Sequence, residues 1–152
     1  MNRRSWFLGL GCLLLSGCGA AVGVGSGGVD NLASTRIRTD SSDAIRRAVL
    51  VVFKADEFSV HSQGPETITF SKRGGRSAEI AWTTISNPNP VMIRPTVRWR
   101  KTESSEFTVT CRVEIVQQST VRGEIVREPM MMGTSAYGRM LREVRRQVEA
   151  GG

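Results

Sequence analysis

The sequence predicts an α+β domain over residues 41–150, a two-layer sandwich in which an N-terminal and a C-terminal helix pack on one face of an antiparallel sheet of about four to six strands. Apolar residues recur at helical spacing near both ends of that stretch, and between the ends they alternate with polar ones. The alternation gives the sheet one apolar side that needs a cover and one polar side that faces water.

The first helix opens on Ser41-Ser42-Asp43, residues that satisfy free N–H groups at a helix start. Ile45, Ala48, Val49, Val52 and Phe53 then fall on one stripe, which predicts a helix over residues 42–54. Phe58 and Val60 suggest a first strand. Residues 67–72, the turn Arg73-Gly-Gly-Arg76 and residues 77–85 suggest a hairpin, with Ile68, Phe70, Ile80 and Trp82 facing inward. Asn87-Pro-Asn-Pro90 breaks the chain. Beyond it Val91, Ile93, Pro95, Val97 and Trp99 alternate with Met92, Arg94, Thr96, Arg98 and Arg100. Pro95 has no N–H for a ladder, so this strand is expected at an edge or with a bulge. Phe107, Val109, Cys111, Val113 and Ile115 alternate with Thr108, Thr110, Arg112 and Glu114 in the most regular strand of the chain, and residues 124–127 allow a short sixth. Thr134-Ser135 caps a final helix with Tyr137, Leu141, Val144 and Val148 on one stripe and Arg139, Arg142, Glu143, Arg145, Arg146 and Glu149 on the other. That basic side suits an anionic membrane, but the sheet needs the apolar stripe as its cover.

The leading residues read as an address. Met1-Asn-Arg-Arg-Ser is a positive start, residues 6–15 are an apolar run, and Ser16-Gly17 are small residues suited to a cleavage site. About ten apolar residues are too few to span a bilayer, which takes roughly 20. The string Leu15-Ser16-Gly17-Cys18 resembles the lipobox of bacterial lipoproteins. That resemblance implies that the Cys18 thiol is diacylglycerated, that the chain is cut before it, and that the new amine is acylated, with palmitate for example. The expected division is a signal peptide over 1–17, acylated Cys18 and a flexible linker over 18–40, and the domain over 41–150. Several acyl chains, at about 0.8 kcal/mol per buried CH₂, anchor the protein to a membrane without spanning it. In lipoproteins of Gram-negative bacteria an aspartate after the cysteine commonly retains the protein at the inner membrane; here Gly19 points to the outer membrane, facing the periplasm. Residues 19–35 are dominated by small residues and, as a flexible chain, reach roughly 20–25 Å.

Composition narrows the chemistry. The 152 residues are 39% hydrophobic and 23% charged, with a formal net charge of +7. Loss of residues 1–17 removes Arg3 and Arg4 and no acids, leaving 19 basic against 14 acidic side chains, net +5. An exported lipid anchor separates that charge from nucleic acid, which is not expected as a partner. Cys12 leaves with the signal and Cys18 is acylated, so Cys111 remains as a lone thiol on an inward strand position, without an intramolecular disulfide. His61 is the one histidine, Glu57, Glu66 and Glu79 are scattered, and Gly25-Ser-Gly-Gly28 lacks the strand and helix of a phosphate loop. Pro129-Met-Met-Met-Gly133 offers thioethers to Cu(I), but consecutive methionines on a connection more often fill gaps. No catalytic set, cofactor or metal is expected.

The outward sheet face carries Thr67, Thr69, Glu79, Thr83, Arg94, Thr96, Arg98, Arg100, Thr108, Thr110 and Arg112. Planar guanidinium groups on a rigid sheet suit carboxylates of a protein or phosphates of a lipid, and Arg94, Arg98, Arg100 and Arg112 are the candidate partner-binding residues. The plainer reading is a solvated face whose threonines follow strand propensity and whose arginines pair with nearby glutamates. The element order resembles the helix-grip or TATA-binding-protein-like folds of some bacterial envelope lipoproteins, such as the small lipoproteins of the outer-membrane assembly machinery, at the level of topology alone. The expected function is a non-enzymatic, lipid-anchored envelope module that binds or scaffolds another envelope protein through its sheet face or a strand edge. The alternative is a lipid or glycolipid carrier whose helices and sheet bracket an apolar groove, with Arg94, Arg98 and Arg100 near a phosphate.

Overall fold

A computed structural model describes residues 32–75, 89–119, 123–127 and 134–151, and its first element is a strand where a linker was expected. Strand β1 (Leu32–Arg38) lies inside the predicted flexible stretch 18–40. Only Ala33 and Ile37 of β1 are buried, and Thr35 takes the inward place between them. So weak an apolar pattern does not announce a strand; pairing does the work, because all of its residues match β5 from Leu32↔Arg112 to Arg38↔Glu106.

Helix α1 (Ser42–Ala55) follows, capped by Ser41, whose Oγ accepts from Ala44 N at 3.1 Å. Its buried residues are the predicted stripe, Ile45, Ala48, Val49, Val52 and Phe53. The helix stops in a Schellman motif: Phe58 N donates to Phe53 O and Glu57 N to Lys54 O, both at 3.0 Å, with Glu57 in the left-handed region at φ 64°. The accompanying apolar contact is Phe58 against Phe53, ring centroids 5.8 Å apart.

Strands β2 (Ser59–Gly64), β3 (Thr67–Arg73), β4 (Val91–Glu103), β5 (Glu106–Ser119) and β6 (Gly123–Arg127) complete an antiparallel sheet, and helix α2 (Thr134–Ala150) closes the domain. The strand order is β1-β5-β4-β3-β2, with β6 also on β5. β1 and β6 share one edge of β5 end to end, β1 along Glu106 to Arg112 and β6 along Ile115 to Ser119. The predicted α+β two-layer sandwich, an antiparallel sheet of four to six strands with both helices on one face, is what the chain forms, with six strands among the described residues.

One further expectation lies outside the described residues and another needs correction. Residues 77–85, the predicted hairpin partner of β3, lie outside the described residues, as do Ile80 and Trp82; among the described residues β3 pairs with β2 and β4. The strand holding Pro95 is not an edge and has no bulge at the proline, but runs centrally between β3 and β5. Gly74 N donates to Val91 O and Trp99 N to Glu66 O, so the odd residues of β4 exchange hydrogen bonds with β3. Pro95 falls in that set opposite Phe70, and the β3 pairing lapses there, between Thr69↔Thr96 and Lys72↔Ile93, without a register shift. A missing donor costs one local interruption, which the intact β5 ladder on the other side tolerates.

The core fills the space between sheet and helices. Phe53 stacks on Phe70 with centroids 4.6 Å apart, and Leu141, Val144, Val97, Val109 and Cys111 are fully buried beside them. Trp99, 1% exposed, lies under the start of α1 with Nε1 donating to Ser42 Oγ at 2.8 Å. The Arg46 guanidinium covers its ring at 5.4 Å. Each such large apolar side chain contributes about 1.5–3 kcal/mol by leaving water.

Candidate functional site: the open face of the sheet

The side chains that alternate with the core residues form the open face. Arg98 stands opposite Thr67 on β3 and Thr110 on β5, Arg100 opposite Thr108, Thr96 opposite Thr69 and Arg112, and Arg94 opposite Glu114. The predicted face is therefore assembled, with Glu79 and Thr83 outside the described residues. β1 widens it: Ser34 pairs with Thr110 and Arg36 with Thr108, so two rows run across the sheet, Arg36–Thr108–Arg100 and Ser34–Thr110–Arg98–Thr67. Arg36 was missed because its segment looked like a linker, although Leu32, Ser34, Arg36 and Arg38 alternate as a polar-side strand would.

The four predicted arginines are not equivalent. Arg94 binds Glu124 of β6 through both terminal nitrogens, at 3.0 and 2.8 Å, and Gln118 Nε2 adds a bond to the same carboxylate at 3.2 Å. The Arg94 hydrogen bonds hold the Glu124 carboxyl below its ordinary range. Arg94 and Glu124 flank the position of Val116, an apolar residue on the open side that is nonetheless 1% exposed. With its side chain 15% exposed, Arg94 is a structural clamp rather than a docking group. Sequence reasoning missed Glu124 as its partner because the pairing of β6 with β5 has no local signal.

Arg98 and Arg100 differ. Both are exposed, and among the described residues neither forms an ion pair with a carboxylate. Elsewhere Arg145 pairs with Glu149 at 3.0 Å, Arg146 with Glu143 at 2.7 Å and Arg36 with Glu106 at 3.8 Å. The threonines beside the pair turn their hydroxyls to the sheet: Thr67 donates to Val97 O at 3.2 Å and Thr110 to Arg98 O at 3.5 Å. A shallow hollow of about 690 Å³ lies here, bordered by Pro65, Glu66, Thr67, Arg98, Arg100, Thr108 and Thr110. Arg112 is exposed two residues along β5 from Thr110, opposite Leu32 and Thr96. Two like charges on the same side of one strand repel, and an anion between them relieves that repulsion.

The remaining candidates resolve by position. Cys111 is buried and desolvation pushes its thiol up to about 12, which makes it a poor nucleophile. His61 is the extra residue of a bulge in β2, between Val60 and Ser62, and is exposed. Among the described residues no group of His, Cys, Asp and Glu is placed to hold a metal, and no helix is long and apolar enough to cross a membrane. The methionine run lies outside them. The apolar stripe of α2 is spent on the core, where Tyr137, Met140, Leu141, Val144 and Val148 are buried. Arg94, Arg98 and Arg100 point away from both helices, so they do not stand near a phosphate held between helices and sheet. No protein-family model matches the chain, and no curated protein is similar to it.

Proposed function

We propose that this protein is a lipid-anchored module of the bacterial cell envelope that binds another envelope protein through the open face of its sheet, without catalysis. The observation that carries the reading is the pair Arg98 and Arg100, exposed on a rigid strand with hydroxyl neighbours and in no ion pair among the described residues, although Glu66 borders the same hollow. A guanidinium presents a flat fork of donors that matches a carboxylate, so an acidic protein surface is the fitting complement. The lipobox string Leu15-Ser16-Gly17-Cys18 supports the anchor, with acyl chains on Cys18 holding the domain at the outer membrane on its periplasmic side. Arg112 borders the same face, whereas Arg94 serves the fold.

In-cell crosslinking of the acylated protein, followed by identification of what co-purifies from membranes, tests this. A specific envelope protein that is lost when Arg98 and Arg100 are changed to Glu is the expected result. An unchanged partner profile in that double variant, or membrane lipid alone, refutes the protein-binding face. Cys18→Ser is expected to abolish acyl labelling, and persistent labelling removes the anchor.

A further inference from the structure

The two edges of the sheet are built differently. At the β2 edge the strand is bulged at His61, and Arg46 of α1 binds the carbonyl oxygens of Gly64 and Pro65. Bulges and covering side chains are how proteins blunt an edge against strand addition. At the other edge, β1 pairs with β5 in unbroken register and carries neither bulge nor proline.

The hydrogen-bond phase of β1 shows which of its groups face outward. Thr39 N donates to Ser105 O at 3.0 Å, in line with the β1–β5 pairing, whereas Arg38 N donates to the Glu149 carboxylate of α2 at 3.4 Å. Odd residues of β1 therefore exchange bonds with β5, and even residues turn their N–H and C=O away from it. Glu149 takes the Arg38 N–H. The outward groups of Leu32, Ser34 and Arg36 have no partner among the described residues. These three residues are exposed, and the Arg36 side chain is 76% exposed.

We propose that β1 accepts an extended acidic segment of the partner protein as an added strand, extending the sheet at this edge. The inference rests on the protein-binding reading above and names its mode. Main-chain bonds to Ser34 and Arg36 would hold the segment, and alternate side chains would lie on the open face beside Arg36, where a partner carboxylate would share the guanidinium that stands 3.8 Å from Glu106. Arg98 and Arg100 lie two strands further in, about 10 Å away at ordinary strand spacing, and their field favours carboxylates there. The same charge selects against a second copy of this chain, because pairing β1 with itself brings two arginine-bearing faces together.

The test uses the full-length acylated protein in detergent micelles and a fluorescent synthetic peptide in which Glu alternates with Thr and Val. Ser34→Pro removes one outward N–H and leaves every β1–β5 bond in place; Ser34→Ala keeps the N–H. Binding is expected at low salt, weakened about tenfold or more by Ser34→Pro and within about twofold of wild type in Ser34→Ala. Amide exchange in the wild-type protein supplies a readout that does not depend on the variants folding, with new protection expected at Ser34 and Arg36. Protection at Ser59 to Gly64 instead, equal binding by Ser34→Pro, equal binding of a peptide with Lys in place of Glu, or sedimentation showing copies joined through β1 overturns the proposal. If the crosslinked partner is lost on reversal of Arg98 and Arg100 but kept in Ser34→Pro, the face reading stands and strand addition falls.

Discussion

The two sides of β4 divide the labour of this domain. On one side Val97 and Trp99 are buried in the core with the helices; on the other Arg98 and Arg100 are exposed, with threonines as neighbours. Residues one position apart therefore have opposite tasks, and the pleat keeps them apart. The exception sharpens the rule. Near Val116 the open side is itself covered, and an arginine that looks like a ligand-binding group in the sequence is committed to Glu124. Arg94, paired with a carboxylate, is committed to the fold; Arg98 and Arg100 form no ion pair among the described residues.

Substitutions that separate the two sides give a graded series. The largest effect is expected for Trp99→Ala, which empties a space at the centre of the core and leaves Ser42 Oγ without its donor. A loss of about 3–5 kcal/mol, read from denaturant unfolding, is a large part of a small domain's stability of about 5–15 kcal/mol. Next is Arg94→Met, which uncovers Val116 and removes the partner of Glu124. Because Arg94 holds the Glu124 carboxyl below its ordinary value of 4.5, the pair stabilises fully above that pH and loses its contribution as pH falls through the depressed value. The gap in unfolding midpoint between wild type and Arg94→Met should be clear at pH 7 and narrow toward pH 3. A gap independent of pH would assign the effect to packing alone.

Glu57→Gly comes third and has the opposite sign. The left-handed backbone at φ 64° costs a residue with a side chain roughly 1–2 kcal/mol, and glycine avoids that cost. A gain of about 0.5–1 kcal/mol is expected after loss of the exposed Glu57 contact with Lys72 at 3.3 Å. Smallest is the double change of Arg98 and Arg100 to Glu, which should leave stability within about 0.5 kcal/mol of wild type while partner capture disappears. A strongly destabilised double variant would place these arginines with Arg94, as parts of the fold.

What could be read from the sequence follows the strength of local pattern. The stripes of α1 and α2 and the alternation of β4 and β5 stood out because burial on one side only repeats every 3.6 or every 2 residues. β1 escaped notice because its inward places are filled by Ala33, Thr35 and Ile37, a set too small to look like a core. Pro95 misled because a proline argues against a central strand on average, yet one lost bond is tolerable where the other neighbour pairs fully. At the candidate site, Arg98 and Arg100 were legible from alternation. The commitment of Arg94 to Glu124, thirty residues away, depends on how β6 docks, which no short window of sequence records.

The place of β1 also has a mechanical meaning. It is the first described element after Cys18, the residue proposed to carry the anchor, and it is joined to a strand roughly seventy residues further on, in seven successive pairs. On the lipid anchor proposed above, tension from the membrane would reach the described residues through β1, and a pull along the axis of that strand would load the β1–β5 rungs together in shear, not one after another as in a zipper. That strand is also the one whose outward groups at Leu32, Ser34 and Arg36 have no partner among the described residues. A partner seated there would share the strand on which the proposed anchor pulls, and because Ala33 and Ile37 of β1 belong to the core and Arg38 N donates to Glu149 of α2, the core and α2 would share that load.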